Sequence, residues 1–391
     1  MLTVPGVYIE EIPGKVRSIP GVPTSIAAFV GTLPRGPVGA PRRIVRLGDF
    51  EESFGGPGPV GETTWAVRQF FNNGGRECYV VRAGSKGRRR LSPASANELI
   101  ESISALDSVD LFNLLCVPDT SGLDSGQAAQ AAAAATAYCT KRGAFYILDV
   151  PSPPDDPTDT VEGLRRWIAA NGRLRDPNVA VYYPRLELSS RLSGARKSAV
   201  APSGSMAGIY ARSDGRRGVW KAPAGLEAAL LGVRALASRI DEQENGELNA
   251  SGINCLRSMG AKGLLCWGAR TFSESDKGSP DLRYVPVRRT LLFIKESLHR
   301  GLKWAAFAPN NENLWAQIRS SVDAFMVDLY RQGAFQGETS DKAYFVRCDR
   351  ETTTKADVDQ GFVNLLVGFA PTRPAEFVVI SIRLCAGKPA D

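Results

Sequence analysis

Hydrophobic and polar positions change period several times along the chain. The first residues, Pro5-Gly6-Val7-Tyr8-Ile9-Glu10-Glu11-Ile12-Pro13-Gly14, alternate between two Pro-Gly turns. Val7 and Ile9 face one side of this segment, Tyr8 and Glu10 the other. A strand this short persists only on the edge of a sheet. Lys15 to Pro23 contains Pro20-Gly21 and predicts an extended linker, at most about 30 Å long. That reach compares with a radius of gyration of roughly 20 Å for a globule of this size, so the strand is free to leave its own subunit.

From Thr24 onward strands and helices alternate. Apolar runs at 25–31, 78–82, 112–117, 145–150 and 179–183 predict buried strands. Helices are expected over 63–73, 97–106, 125–141 and 161–171. The alternation implies a sheet with helices on its faces. The chain changes character near 246–251, where a domain boundary is expected. Beyond it, Leu314, Trp315, Ile318, Val322, Phe325, Met326 and Leu329 follow the helical period, between a cap at Asn310 or Asn311 and a stop at Gly333. A more basic helix is expected over 288–304 and a strand over 343–348. The last strand, Phe377-Val378-Val379-Ile380-Ser381-Ile382-Arg383-Leu384, follows Pro371 and Pro374. Both termini thus carry adhesive strands on proline-bearing tethers.

Composition narrows the picture. With 43% hydrophobic and 23% charged residues, the chain buries a sizeable core and is not a disordered polymer. Its net charge of +7 suits nucleic acid, an anionic membrane or an acidic protein partner. The cations are dispersed, and the one tight run, Arg88-Arg89-Arg90, has no recognition helix or aromatic stripe beside it. Cysteines 78, 116, 139, 255, 266, 348 and 385 form no Cys-x-x-Cys, and most sit in apolar runs, as buried free thiols in a reducing compartment would. No secretory signal is expected at the N-terminus, and no apolar run is long enough to span a membrane. The chain is expected to be cytoplasmic when made.

Candidate chemistry is sparse. The single histidine, His299, lies between Leu298 and Arg300, and any triad or His-rich metal site would rest on it alone. Gly56-Pro57-Gly58-Pro59-Val60-Gly61 matches a dinucleotide fingerprint, but it follows no strand, and its two prolines remove amide donors. Asp155/Asp156 and Asp357/Asp359 fall in polar turns, where solvated charges are expected. Asn249-Ala250-Ser251 is a glycosylation sequon only by pattern. Neither an enzyme nor a cofactor or metal site is expected. A basic nucleic-acid-binding or other oligomeric α/β protein and an unidentified α/β enzyme are the alternatives.

Several segments together resemble the contractile tail sheath family of phages, phage-tail-like bacteriocins and extracellular contractile injection systems. They are Pro5–Glu11, Ser53–Gly56, Phe70–Gly75 leading into Cys78–Arg82, Pro202–Arg212, Arg217–Pro223 and Leu248–Asn254. Trp267–Thr271, Pro309–Trp315, Ala343–Asp349 and Pro374–Ile380 follow in consistent order. The resemblance implies an α/β (α+β) two-domain protein, with mixed sheets flanked by helices and terminal strand arms exchanged between subunits. It divides the chain into an arm and linker at 1–23, an outer α/β domain at 24–247, a tube-facing domain at 248–373 and an arm strand at 374–391. It implies self-assembly in stacked six-membered rings around an inner tube protein, with baseplate and cap or terminator partners, no direct nucleic-acid contact and no membrane insertion. In a released or anchored particle such a sheath contracts and drives the tube through a target envelope. Carried onto this sequence, Val7, Tyr8, Ile9, Phe377, Val378, Val379, Ile380, Ile382 and Leu384 are the inferred inter-subunit strand residues. Arg288, Arg289, Lys295 and Arg300 are candidates for tube contact.

Overall fold

The computed structural model describes residues 17–56, 62–84, 93–152, 158, 160–188, 199–273, 280–372 and 378–386. The chain forms two compact units, one of residues 23–293 and one of residues 1–22 with 294–391.

The larger unit is built on an eight-stranded sheet. In chain order its strands are β1 (Ala27–Gly31), β2 (Arg42–Ile44), β3 (Cys78–Arg82), β4 (Leu114–Cys116), β5 (Phe145–Asp149) and β6 (Val179–Tyr183). Three short strands, β7 (Leu186–Leu188), β8 (Ala199–Val200) and β9 (Val233–Leu236), form a separate antiparallel sheet in the order β8-β7-β9. The large sheet then adds β10 (Ile253–Ser258) and β11 (Leu264–Cys266), giving the order β11-β10-β6-β5-β4-β1-β3-β2. Its inner strands run parallel, and β2 and β11 close the two edges antiparallel.

Continuous apolar runs build this sheet because both of its faces are covered. Along β5, Tyr146 and Leu148 join one core cluster while Phe145 and Ile147 join the other. Helices α1 (Leu47–Phe54), α2 (Glu62–Asn72) and α6 (Ser203–Arg217) contribute side chains to the second cluster. Helices α3 (Ala96–Ser104), α4 (Ser125–Arg142), α5 (Val161–Ala170) and α7 (Glu242–Ala250) contribute to the first. Gly204 and Gly208 let α6 approach α2 closely: a Cβ on them would lie 2.2 Å from Ala66 O and 2.5 Å from Phe70 O.

The boundary expected after residue 247 falls inside this unit. An Asp241–Glu244 capping box starts α7 just before it, and β10 then pairs with β6. The break between units comes instead at Phe293/Ile294, within α8 (Val285–Gly301).

In the smaller unit, α9 (Glu312–Arg331) buries Leu314, Trp315, Ile318, Val322, Phe325, Met326 and Leu329, the stripe read from its period. Asn311 caps it by accepting from Leu314 N at 3.0 Å. Helix α10 (Ser340–Ala343) leads into β12 (Tyr344–Arg347), then α11 (Lys355–Asp359), β13 (Phe362–Phe369) and β14 (Val378–Cys385). The three strands form an antiparallel meander, β12-β13-β14.

Candidate functional site

An open α/β sheet offers a ligand crevice at the carboxyl ends of its strands, where neighbouring connections leave in opposite directions. Here β1 pairs with β3 on one side and β4 on the other, and side chains of the chain itself fill that position. Asp119, just past β4, accepts from Thr32 N at 2.5 Å, Thr63 N at 3.2 Å and Thr63 Oγ1 at 3.0 Å. The first-turn amide of α2, which would face a phosphate, thus meets an internal carboxylate. Burial raises the Asp119 carboxyl above its ordinary range, against the pull of those Thr32 and Thr63 hydrogen bonds. Gly31 adjoins it, and a Cβ there would lie 2.0 Å from Thr63 Oγ1.

The other chemistry-bearing residues do not converge. His299 is on the exposed side of α8. Asp357 belongs to a capping box with Thr354, whose hydroxyl hydrogen bond holds that carboxyl below its usual range. Residues 57–61 of the glycine motif, Asp155/Asp156 and the Arg88–Arg90 run lie outside the described residues. All seven cysteines are free, and six are buried; Cys385 is exposed. Among the described residues, no group of histidine, cysteine and carboxylate side chains is placed to hold a metal, and no helix is long and apolar enough to cross a membrane.

What the smaller unit presents is backbone. Strand β14 pairs with β13 over eight residues, from Phe362↔Cys385 to Phe369↔Val378. Its far edge, and the far edge of β12, carry no ladder among the described residues. Open edges of this kind are templates for another strand. Val378 and Ile380 face the core, while Val379 is 51% exposed. The turn Lys303–Phe307 touches β14, and its Phe307 is 92% exposed. Of the residues expected in exchanged strands, Val378, Val379, Ile380, Ile382 and Leu384 lie in β14 on the parent chain's own sheet. Val7, Tyr8, Ile9 and Phe377 lie outside the described residues.

The linker is not a free tether along its whole length. Ile19 is buried, Arg17 N donates to Ser321 Oγ at 3.0 Å and Val22 N donates to Ser297 Oγ at 3.1 Å. The Arg17 guanidinium stacks over Trp304, 4.5 Å from the ring centroid. These contacts strap residues 17–22 to α8 and α9. Ile19 and Val22 were the signal in the sequence, two apolar residues in a stretch otherwise read as spacer.

Of the four basic residues expected to face a tube, Arg289 is internal and Arg288 is half-buried. Arg289 is 4% exposed and grips Asp214 through two hydrogen bonds of 2.9 and 2.6 Å. It also donates to Thr24 O at 2.8 Å and lies over the Tyr210 ring at 4.6 Å. Burial opposes its charge, but Asp214 and the adjoining tyrosines hold the guanidinium above its ordinary value. Arg288 donates to Asn178 Oδ1 at 2.8 Å, and burial lowers its pKa. Counting basic residues along the helix could not reveal the burial of Arg289, because the first turns of α8 are packed in the larger unit. Lys295 is exposed, and Arg300 pairs with Glu296 at 2.6 Å.

Comparison with known proteins bears on these edges. The family profile for the phage tail sheath C-terminal domain matches residues 277–384. The tail sheath protein of Enterobacteria phage T4 is 23% identical over 231 residues, which is 57% of this chain but 34% of that protein, so the match spans about a third of its length. The sheath of the contracted anti-feeding prophage has a TM-score of 0.74 and 30% identity, covering 97% of this chain and 99% of that one. The contracted sheath of the PVC extracellular contractile injection system gives a TM-score of 0.76 and 28% identity, covering 97% of each chain.

Proposed function

This chain belongs to the contractile tail sheath family, and on that premise we propose that it is the repeating subunit of a sheath that assembles as stacked six-membered rings around an inner tube. Contraction of that sheath drives the tube through a target envelope, with baseplate and cap proteins at its ends. The role is structural, and no catalytic step is assigned to it. The observation that carries this reading is the three-stranded sheet of the smaller unit, where the chain's own last strand lies between β13 and an open edge.

In the polymer, β14 of one copy takes the place of its neighbour's β14 on β13, and residues 1–12 add a further strand at an open edge. The exchanged ladder repeats the eight pairs seen within one chain, so the swap costs little beyond ordering the connection. Subunits held this way rotate without separating, which a lattice that shortens and widens requires. The smaller unit faces the tube, and Lys295 with the Arg300–Glu296 pair supplies polar contacts there in place of Arg288 and Arg289.

The exchange is tested by cysteines at Leu366 and Ser381, which face each other across the ladder, introduced together with Cys385→Ser. Oxidation of the dispersed chain should link them within one molecule. Oxidation of assembled sheath should give dimers and longer linked chains on a non-reducing gel. Linkage only within single molecules in assembled sheath would refute the swap.

A further inference from the structure

At the carboxyl end of β5, Asp149 is 1% exposed and receives Ser203 N, the first amide of α6, on Oδ1 at 2.9 Å. Its other oxygen, Oδ2, is buried without a hydrogen-bond partner. Facing it are Glu62 at the start of α2, Arg185 between β6 and β7, Tyr146 on β5 itself and Cys116 on β4. Arg185 is the cation among them, and it is engaged elsewhere. Its Nη2 pairs with Glu62 Oε1 and donates to Ala199 O of β8 at 2.9 Å, while its Nη1 is buried and unpaired. Glu62 Oε2 accepts from Ala201 N at 2.9 Å.

One guanidinium therefore serves two carboxyls, the half-buried Glu62, to which it is bonded, and the buried Asp149, with an idle donor on the cation and an idle acceptor on Asp149. Two ionised carboxylates around one cation repel each other, and Asp149 is the one cut off from solvent, so it keeps its proton until the arrangement changes.

We propose that Asp149 is a proton-operated latch: when it ionises, Arg185 is drawn toward Oδ2 and releases Ala199 of β8, and reprotonation restores the bond. The latch couples the start of α6 to the β8-β7-β9 sheet within the larger unit. Burial is the main cause that lifts the Asp149 carboxyl, to about 7, opposed by the nearby Ser203, whose N–H it accepts. Glu62 is raised as well, by burial first, with Arg185 and Ala201 N pulling it back. The latch therefore works near neutral pH.

The sign of the stability effect follows from the two states. In the unfolded chain Asp149 loses its proton near its ordinary value, about 4. In the folded chain it keeps the proton to about 7. Stability from this group is complete below the lower value and lost as pH rises through the window between them.

Thermal unfolding of the full chain from pH 4 to 8 is the test, compared with Asp149→Asn, which keeps an acceptor for Ser203 N and carries no charge. The two melting temperatures should agree at pH 4. Wild type should fall behind progressively up to pH 7, and the gap should stay constant above it. Hydrogen exchange at residues 199–203, corrected for intrinsic rate, should quicken between pH 6 and 8 in wild type and not in the variant. Parallel melting curves, or exchange that responds equally in both, would overturn the latch. Should Asp149→Asn fail to fold, Arg185→Gln serves in its place. Removing the cation should move the infrared titration midpoint of the protonated carboxyl to higher pH, and an unmoved midpoint would overturn the proposal.

Discussion

Ile19 lies on Gly301 so closely that a β-carbon added there would come 2.6 Å from Ile19 Cγ2. A residue near the start of the chain and the last residue of α8 thus form one joint within the smaller unit.

Gly301→Ala isolates it. Helix propensity favours alanine over glycine by about 1 kcal/mol, so a loss of stability reports the clash with Ile19. Overpacking of this kind costs about 1–3 kcal/mol. Trypsin should then cut at Arg17 faster, and the double change Ile19→Ala with Gly301→Ala should return cutting toward the wild-type rate. Equal rates in all three chains would show that the strap does not depend on this contact.

A charge at Val379 places an unpaired charge in the sheet that the proposed polymer shares, and the residue's 51% exposure leaves the dispersed chain folded. Val379→Lys should leave the dispersed chain's stability within about 0.5 kcal/mol while impairing polymerisation. Ile380→Asp, at a residue only 5% exposed, should destabilise the smaller unit itself, by about 3 kcal/mol or more. Denaturant melts and negative-stain microscopy separate the two effects. Normal sheath from Val379→Lys would remove that face of β14 from the assembly contact.

The sequence disclosed long periodic elements well and close-packed small residues poorly. The α9 stripe was legible because one face is buried and the other wet, which leaves a clear period. Strands β1, β3, β5 and β6 announced themselves as apolar runs covered on both faces. Helix α6 did not, because Ser203 to Ala211 is buried all round and glycine stands where α2 presses against it, so neither period nor propensity marks it. Strands β7, β8, β11 and β2 are too short for a pattern. The misplaced boundary has a similar origin: the polar α7 reads as a linker, and nothing local reveals that β10 pairs with β6. At the candidate site, the terminal strand was visible as composition. Its partner β13, the strap and the burial of Arg289 depend on tertiary contacts that no local pattern records.

The α2–α6 contact gives a sharper test of packing. Gly204→Ala would put a methyl 2.2 Å from Ala66 O, which is backbone and cannot rotate away. The helices must separate, with a loss of about 1–3 kcal/mol or more despite alanine's better helix propensity. Stability equal to wild type would mean that α6 packs less closely on α2.

The Arg289–Asp214 pair distinguishes a structural cation from a tube contact. Removing one partner of a buried pair strands the other charge and costs about 3–5 kcal/mol. Asp214→Ala, which leaves Arg289 in place, should therefore lower the melting temperature as severely as Arg289→Ala, and both should reduce soluble yield. Lys295→Glu should leave melting unchanged and weaken loading on the tube. If Arg289→Ala melts like wild type and fails only in co-assembly, the buried role assigned to Arg289 is wrong.

Thiol chemistry reads the fold as a whole, because the chain carries seven free cysteines in very different surroundings. Burial pushes Cys255, Cys266 and Cys348 up to about 12 and lifts Cys78, Cys116 and Cys139 well above the usual thiol range. The thiolate is the reacting species, so at pH 8 these six are both inaccessible and protonated. A disulfide reagent added to the native chain should consume one equivalent quickly, and Cys385→Ser should abolish that phase. Raising the pH to 9 should not recruit the other six, and denaturant should release all seven together. Because Cys385 closes the β13–β14 ladder opposite Phe362, a second fast equivalent from the native chain would show that a strand or helix described as packed opens on its own.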